Sequence, residues 1–408
     1  MVAKAKRIRL FNTVTPVNTF YHDLIPCLEQ AGSCLEVVIS RAEYRPGREN
    51  TWRGEQTEVH WTPTWGTSMN GRVGRLFILV AYILSAAAHT LIGHEVDYNV
   101  FLTQPPLFYV WGYFLKRLRH QPYFVVIMDL YPDVALEAAK LNADSRIARF
   151  LNRVARFGLE QAEGVIVIGR QMRQRVIDKG VTPERVHVIP NWADEEAIRP
   201  LAHAENSFRA AQGWTDKFVI LYSGNMGIAH YFDDILETSW RMRDDKRVIF
   251  AFIGHGRRLA EIEAFKSTHG LENIIILPFQ PQANLAQSIG SADVHFVSLR
   301  AEYSGLMVPS KAYGILAAGC PVIYQGAREG EIACLIHEEE VGIYVSIGDT
   351  LGLQQAIEAY LVDPELCRRH GICARHLIES TYSRQAALMR YAQMLGVVDE
   401  ERYDPAVG

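Results

Sequence analysis

The feature that most constrains this chain is an alternation. Short runs of β-branched and aromatic residues are each followed by turn signals and a helical stretch. The pattern predicts strands at 8–10, 36–39, 98–102, 123–128, 164–168 and 186–189, and a second series at 218–222, 248–253, 274–277, 294–297, 321–324 and 343–345. Strands separated by helices run parallel, and a parallel sheet needs helices on both faces. An apolar content of 49% over 408 residues supplies core for two such sheets and lies far above the range of disordered chains. Between the two series, 191–213 is polar and broken by Pro200, and reads as a linker. The expected class is therefore α/β: two Rossmann-like, doubly wound domains over 1–200 and 201–385, facing a central cleft. In such sheets ligands sit at the strands' carboxyl ends.

Composition narrows the function classes. With 42 Lys+Arg against 46 Asp+Glu the net charge is −4, which gives no global electrostatic footprint for nucleic acid, so no nucleic-acid partner is expected. The six cysteines lack CxxC spacing and indicate neither a zinc site nor a disulfide scaffold; they read as small apolar residues of a reducing cytoplasm. The start, MVAKAKRIRLFN, leads straight into strand residues rather than an apolar signal segment. Residues 76–92, LFILVAYILSAAAHTLI, follow Arg72 and Arg75 and are apolar on nearly every helical face. Three readings stay open for them: a helix buried against a sheet, a surface helix dipped into lipid, or a span diluted by Tyr82, Ser85, His89 and Thr90.

Residues 302–323, EYSGLMVPSKAYGILAAGCPVI, combine a polar turn, a short helix and a strand. Glu302, Ser304, Gly305 and Ser310 belong to the loop, a helix is expected from Lys311 to residue 318, and Gly319 and Pro321 end it. A helix start beside Lys311 can hold a phosphate, or it can be an ordinary capped connection. The turn LYSGNMGIAH, 221–230, carries Gly224, Asn225 and Gly227 directly after a strand, where backbone can approach a phosphate closely. FIGHGRR, 252–258, offers His255 and Arg257 as charge partners or as solvated surface. In the first domain Asp129, after the strand at 123–128, is available for chemistry or for capping a helix that starts near Pro132, with Asp133 in its first turn. Pro16 and Asn18 in the early loop, and His22 beyond it, would border the same cleft. No D-x-D triplet is present, which favours phosphate binding without a metal.

On DLYPD (129–133), the stretch 162–194, LYSGNMG (221–227), FIGHG (252–256), VPSKAYGILAAGCPVI (308–323) and GIYVSIGD (342–349), the chain resembles family 4 glycosyltransferases of the GT-B fold over nearly its whole length. The resemblance is to bacterial enzymes of cell-surface polysaccharide and O-antigen synthesis. It implies an acceptor-binding first domain, a second domain holding a nucleotide-activated sugar, and a helix within 386–408 crossing back to the first. It also implies metal-independent transfer with retention, UDP as the favoured carrier, no cofactor, and a glycan or polyprenyl-diphosphate-linked acceptor at the cytoplasmic face of the membrane. Carried over by position, Gly224, Asn225, Ser310 and Lys311 would contact the diphosphate, Phe279 would border the base, and Asp129 would serve the reacting centre. Many relatives carry an Arg and a Lys at the glycine turn, where this chain has Asn225 and His230, and a ribose-gripping carboxylate where it has Gly314. Two other classes therefore stay open: a catalytically reduced GT-B partner subunit, and a GT-B sugar-nucleotide epimerase.

Overall fold

The computed structural model describes residues 5–12, 19–40, 57–63, 72–142 and 144–398. The chain forms two compact units, Met1–Pro190 with Gln385–Gly408, and Asn191–Arg384.

In the first unit, β1 (Arg7–Asn12), β2 (Cys34–Ser40), β3 (Glu58–Thr62), β4 (Tyr98–Leu102), β5 (Tyr123–Ile127), β6 (Gly164–Val167) and β7 (Val186–Val188) form one parallel sheet. The order is β3-β2-β1-β4-β5-β6-β7. Its helices are α1 (Thr19–Gln30), α2 (Arg72–Ile92), α3 (Val110–Arg119), α4 (Asp133–Ala138), α5 (Arg146–Glu160) and α6 (Arg170–Asp178). The edge strand β3 is absent from the sequence expectation because EVHWT is short and most of its residues are only half-buried, which leaves little hydrophobic pattern. β1 and β2 carry a buried ion pair, Arg9 Nε to Glu36 Oε2 at 2.8 Å, and His89 of α2 bonds the other Glu36 oxygen. Arg119 of α3 donates to the carbonyls of Thr90 and Leu91 at 2.9 and 2.8 Å, and Trp111 Nε1 to Thr90 Oγ1 at 2.9 Å. These bonds fix α2 and α3 as one layer, satisfying carbonyls at the end of α2 that would otherwise lack donors. Among the described residues no helix is long and apolar enough to cross a membrane.

The second unit holds β8 (Phe218–Asn225), β9 (Val248–His255), β10 (Ile274–Leu277), β11 (Val294–Ser298), β12 (Val322–Gln325) and β13 (Gly342–Val345) in the order β10-β9-β8-β11-β12-β13. Its helices are α7 (Ser207–Ala211), α8 (Asp233–Arg241), α9 (Leu259–His269), α10 (Leu285–Ile289), α11 (Lys311–Ala317), α12 (Glu331–Glu339), α13 (Thr350–Val362) and α14 (Pro364–Ser380). A final helix, α15 (Arg384–Met394), belongs almost wholly to the first unit, where Tyr391 meets Phe20 edge-on at 5.3 Å. Both faces of this sheet are covered. Along β8, Ile220 and Tyr222 enter one core with Phe250 and Phe252, while Val219 and Leu221 enter the other with Trp214 and Ile253. That is why FVILY reads as an unbroken apolar run rather than an alternating one.

Each sheet reverses its strand order once, between β1 and β4 and between β8 and β11. At such a reversal the loops leave in opposite directions and open a crevice at the carboxyl ends.

The segment expected as a linker is bound into the second unit, and the division falls at 190/191 rather than at 200/201. Arg375 Nη1 donates to the carbonyls of Glu195, Ile198 and Ala317 at 3.1, 2.9 and 2.8 Å. Arg384 Nη1 holds Asp194 at 2.8 Å. Arg209 of α7, buried, bonds Ser291 O at 2.6 Å and Asp293 Oδ2 at 3.0 Å. Removing one side of a buried pair strands the other charge. Arg209→Ala should lower the stability of this unit by about 3 kcal/mol, read as a lower urea midpoint with unchanged slope.

Candidate functional site

The candidate site lies in the second unit, at the carboxyl end of β8. This strand runs to Asn225, past the expected end at 222, and stays paired with β9 through Gly224 opposite Gly254 and Asn225 opposite His255. Gly224 and Gly254 have φ of +136° and +145°, and a Cβ on Gly254 would stand 2.0 Å from the Gly224 carbonyl oxygen. Only glycine fits so close a backbone approach.

Lys311 opens α11 and reaches back to this turn. Its Nζ lies 3.6 Å from the centroid of the Tyr222 ring, and a Cβ added to Gly224 would meet it at 3.3 Å. The nitrogen is buried and has no hydrogen-bond partner. Burial holds the amine well below the usual lysine range. The Tyr222 hydroxyl donates to Asn225 O at 2.7 Å, so one aromatic residue both fixes the turn and seats the amine. α11 spans only seven residues, and Ser310 before it provides no side-chain cap. The anion-attracting element is accordingly the Lys311 amine more than the helix end. Gly319, at φ +65°, follows the helix as expected.

His230 packs edge-on to Tyr222 at 5.7 Å, and its Nδ1 bonds Ser298 O at 2.6 Å. Because a carbonyl only accepts, Nδ1 carries the proton and Nε2 presents a lone pair. Burial, then the Lys311 charge, push His230 down to about 3. His230 is therefore a neutral acceptor and does not substitute for a missing cation. Beneath Lys311, buried His295 is pushed down to about 4, chiefly by burial with Lys311 adding to it, while Nε2 contacts Ile289 O at 2.9 Å.

Of the other residues singled out from the sequence, Asn225, His255, Arg257, Phe279, Glu302 and Ser310 are exposed, Gly227 is half-buried, and Ser304 and Gly305 are buried. The Phe279 ring lies beside Gly254, 3.3 Å from where a Cβ would stand. Gly224, Asn225, Gly227, His230, Phe279 and Lys311 thus gather around the ends of β8 and β9. Glu302 and Arg257 make no hydrogen bond or ion pair among the described residues. The guanidinium that shapes the turn is the neighbouring Arg258, which donates to His230 O at 2.8 Å while pairing with Asp233 and Glu261 at 2.8 and 2.6 Å. Tyr222 and Arg258 were both missed in the sequence; the only available signal was their adjacency to the glycines. Gly314 has Ile289 and Ile198 as neighbours, 3.7 and 3.8 Å from a Cβ there, so a side chain at this position would start in apolar surroundings.

In the first unit, Asp129 follows β5. It does not cap α4, whose preceding residue, Pro132, has no side-chain bond, while Asp133 in the first turn pairs with Lys179 at 2.8 Å. No described group hydrogen-bonds the Asp129 carboxylate, and burial pushes it up to about 6. His22 lies on the exposed side of α1 beside Asp23 at 3.6 Å. Pro16 and Asn18 lie outside the described residues.

Two family models match the chain, a glycosyl transferase 4-like domain over residues 17–192 and glycosyl transferases group 1 over residues 217–363. A relative named as a probable glycosyltransferase, WbjE of Pseudomonas aeruginosa, is 26% identical over 290 residues, covering 71% of this chain and 72% of that protein. WcaI of Escherichia coli K12, named for glycosyl transfer in colanic acid biosynthesis, is 29% identical over 248 residues, and the match covers 60% of each chain. Among solved structures, sucrose-phosphate synthase of Thermosynechococcus elongatus superposes with a TM-score of 0.77 at 17% identity, covering 95% of this chain and 98% of that one. HepE of Anabaena, solved with UDP and glucose, gives 0.73 at 15% identity, covering 96% and 100%. These two likenesses show the fold.

Lys311→Met keeps the length of the side chain and removes a buried amine without a partner. It should raise thermal stability, by about 1–3 kcal/mol, where a structural lysine would lower it. Asp129 has a native value near 6 against about 3.9 unfolded, so its burial opposes folding once the unfolded carboxylate ionises. Asp129→Asn should gain nothing below about pH 4 and on the order of 2 kcal/mol above about pH 6, measured by urea unfolding across that range. Loss of a helix cap would give the opposite sign.

Proposed function

Because the chain belongs to the family 4 glycosyltransferases of the GT-B fold, we propose that it moves a sugar from a UDP-sugar to a glycan or polyprenyl-diphosphate-linked acceptor in cell-surface polysaccharide synthesis. The anomeric configuration is retained. The observation that carries this reading is the Lys311 amine, buried, unpartnered and set against the glycine turn at the strand-order reversal. A desolvated amine lacking an acceptor is costly unless an anion completes it, and a nucleoside diphosphate brings that anion. The UDP carrier is supported by HepE, solved with UDP, and the polysaccharide context by the naming of WcaI.

In this reading the donor's diphosphate meets Lys311 and the backbone at Gly224 and Asn225, Phe279 borders the base, and His230 Nε2 accepts from a donor hydroxyl. The bond from the anomeric carbon to the departing phosphate oxygen breaks, a bond to the acceptor oxygen forms on the same face, and the acceptor proton passes to the departing phosphate. Lys311, protonated as the diphosphate arrives, offsets the charge that develops there and takes the place of a metal ion. Asp129 is assigned to the acceptor hydroxyl. The protein works at the cytoplasmic face of the cell membrane, with α2 meeting lipid.

A second reading, a GT-B subunit that binds a donor without transferring sugar, is favoured by one observation. With Asn225 uncharged and His230 neutral, Lys311 is the cation left at this turn for a diphosphate, since Arg258 is already paired.

A thermal-shift screen of UDP-, GDP-, ADP- and TDP-sugars should give the largest shift with a UDP-sugar; no shift with any of them would remove the donor site. Since a diphosphate raises the depressed Lys311 value, donor binding should take up a proton and weaken as pH rises. Calorimetry in buffers of different ionisation enthalpy reads this directly, and in Lys311→Met the uptake should vanish with a fall in kcat/KM of about 100-fold or more. Proton uptake and normal affinity without any product would leave the binding-subunit reading.

A further inference from the structure

The outer face of the first unit has a character that the transfer reaction does not use. Helix α2 packs inward through Ile78, Ala81, Tyr82, Ala86 and Thr90, and its opposite ridge, Leu76, Val80, Leu84 and Leu91, is exposed. Next to it, α3 exposes Phe114, Arg117 and Leu118. Beyond that, α5 buries Ala148, Ala155 and Leu159 and turns outward the positions 146, 150, 153 and 157, which read Arg, Phe, Arg, Phe at helical spacing. Ile147 and Phe150 on α5, and Leu118 on α3, are 64%, 63% and 66% exposed, values that water alone does not favour for a cluster of such residues. The three helices form one layer: Tyr113 of α3 meets Phe157 of α5 at 4.7 Å, and Arg119 of α3 holds the end of α2.

The unpaired charge on these three helices has one sign among the described residues. No Asp or Glu occurs in α2 or α3, and the single one in α5, Glu160, is bonded to Arg156. Arg117, Arg146, Arg149 and Arg153 are exposed and make no ion pair or hydrogen bond through their side chains among the described residues. Exposed apolar ridges interleaved with unpaired guanidiniums are complementary to one kind of surface, in which acyl chains lie beneath anionic head groups. A protein partner would require acidic groups set between apolar ones at matching spacing, whereas a lipid surface rearranges to fit.

We propose that the face formed by α2, α3 and α5 docks on an anionic lipid bilayer, with the guanidiniums of α5 selecting for anionic head groups and the ridge of α2 entering the acyl boundary. This rests on the reading of a membrane-face transferase and deepens it: the contact is a three-helix plate, and α5 rather than α2 supplies its charge selectivity. The helices lie along the bilayer surface.

Co-sedimentation of the whole protein with phosphatidylcholine vesicles, with and without phosphatidylglycerol, tests the assignment. Binding should require phosphatidylglycerol and weaken with added salt. The triple reversal Arg146→Glu, Arg149→Glu, Arg153→Glu should lower affinity by roughly a hundredfold, and Ile147→Ser with Phe150→Ser should also release the protein. In both variants the melting temperature and the donor-induced thermal shift should stay unchanged, so failure here is distinct from failure of the donor site. Equal binding to phosphatidylcholine alone, no binding to either vesicle, or unchanged affinity in the triple reversal would overturn the proposal. So would a dimer in solution that Ile147→Ser with Phe150→Ser dissociates while vesicle binding persists, since the face would then belong to a second copy of the chain.

Discussion

Parallel strand pairing is the constraint on which everything else here depends. Parallel strands cannot be joined by tight hairpins, so every strand feeds a crossover that covers one face of the sheet, and the sheet must be apolar on both. In the second unit this places Ile220 and Tyr222 in one core and Val219 and Leu221 in the other, which leaves β8 no freedom of register. With β8 central and the order reversing at β11, the carboxyl end of β8 lies where such a reversal opens a crevice.

That opening is furnished at the expense of stability. Tyr222 is a core residue that doubles as the seat of the Lys311 amine, and the amine is desolvated without receiving an acceptor. Burial, with the Lys311 charge adding to it, keeps His230 neutral, and the bond to the Ser298 carbonyl fixes which of its nitrogens carries the proton. A departure that looks in the sequence like the loss of two cations leaves, in three dimensions, a neutral His230 and one buried amine without an acceptor at this turn.

The first unit divides its charges differently. Arg9, Glu36 and His89 are consumed in holding α2 to the sheet. Arg146, Arg149 and Arg153 of α5 are left unpaired outside, and Asp129 is left unpaired after β5, held toward its neutral form by burial. Structural charges are those with partners; the unpartnered ones mark where something external is expected.

The sequence by itself determined the class of the fold and the location of most strands, because a strand buried on both faces must be a continuous apolar run whatever its neighbours. It also singled out Gly224 and Lys311, since a glycine after a strand and a lysine at a helix start are local signals. It missed β3, whose mostly half-buried residues carry little pattern, and it took 191–213 for a linker because the partners of Arg375, Arg384 and Arg209 are remote in sequence. Tertiary structure alone decided that Lys311 lies over Tyr222, that Arg258 and not Arg257 holds the turn, and that His230 is uncharged. Each of these depends on desolvation, which is set by atoms many residues away, and a linear pattern of residue types does not encode what will surround a nitrogen once the strands have paired.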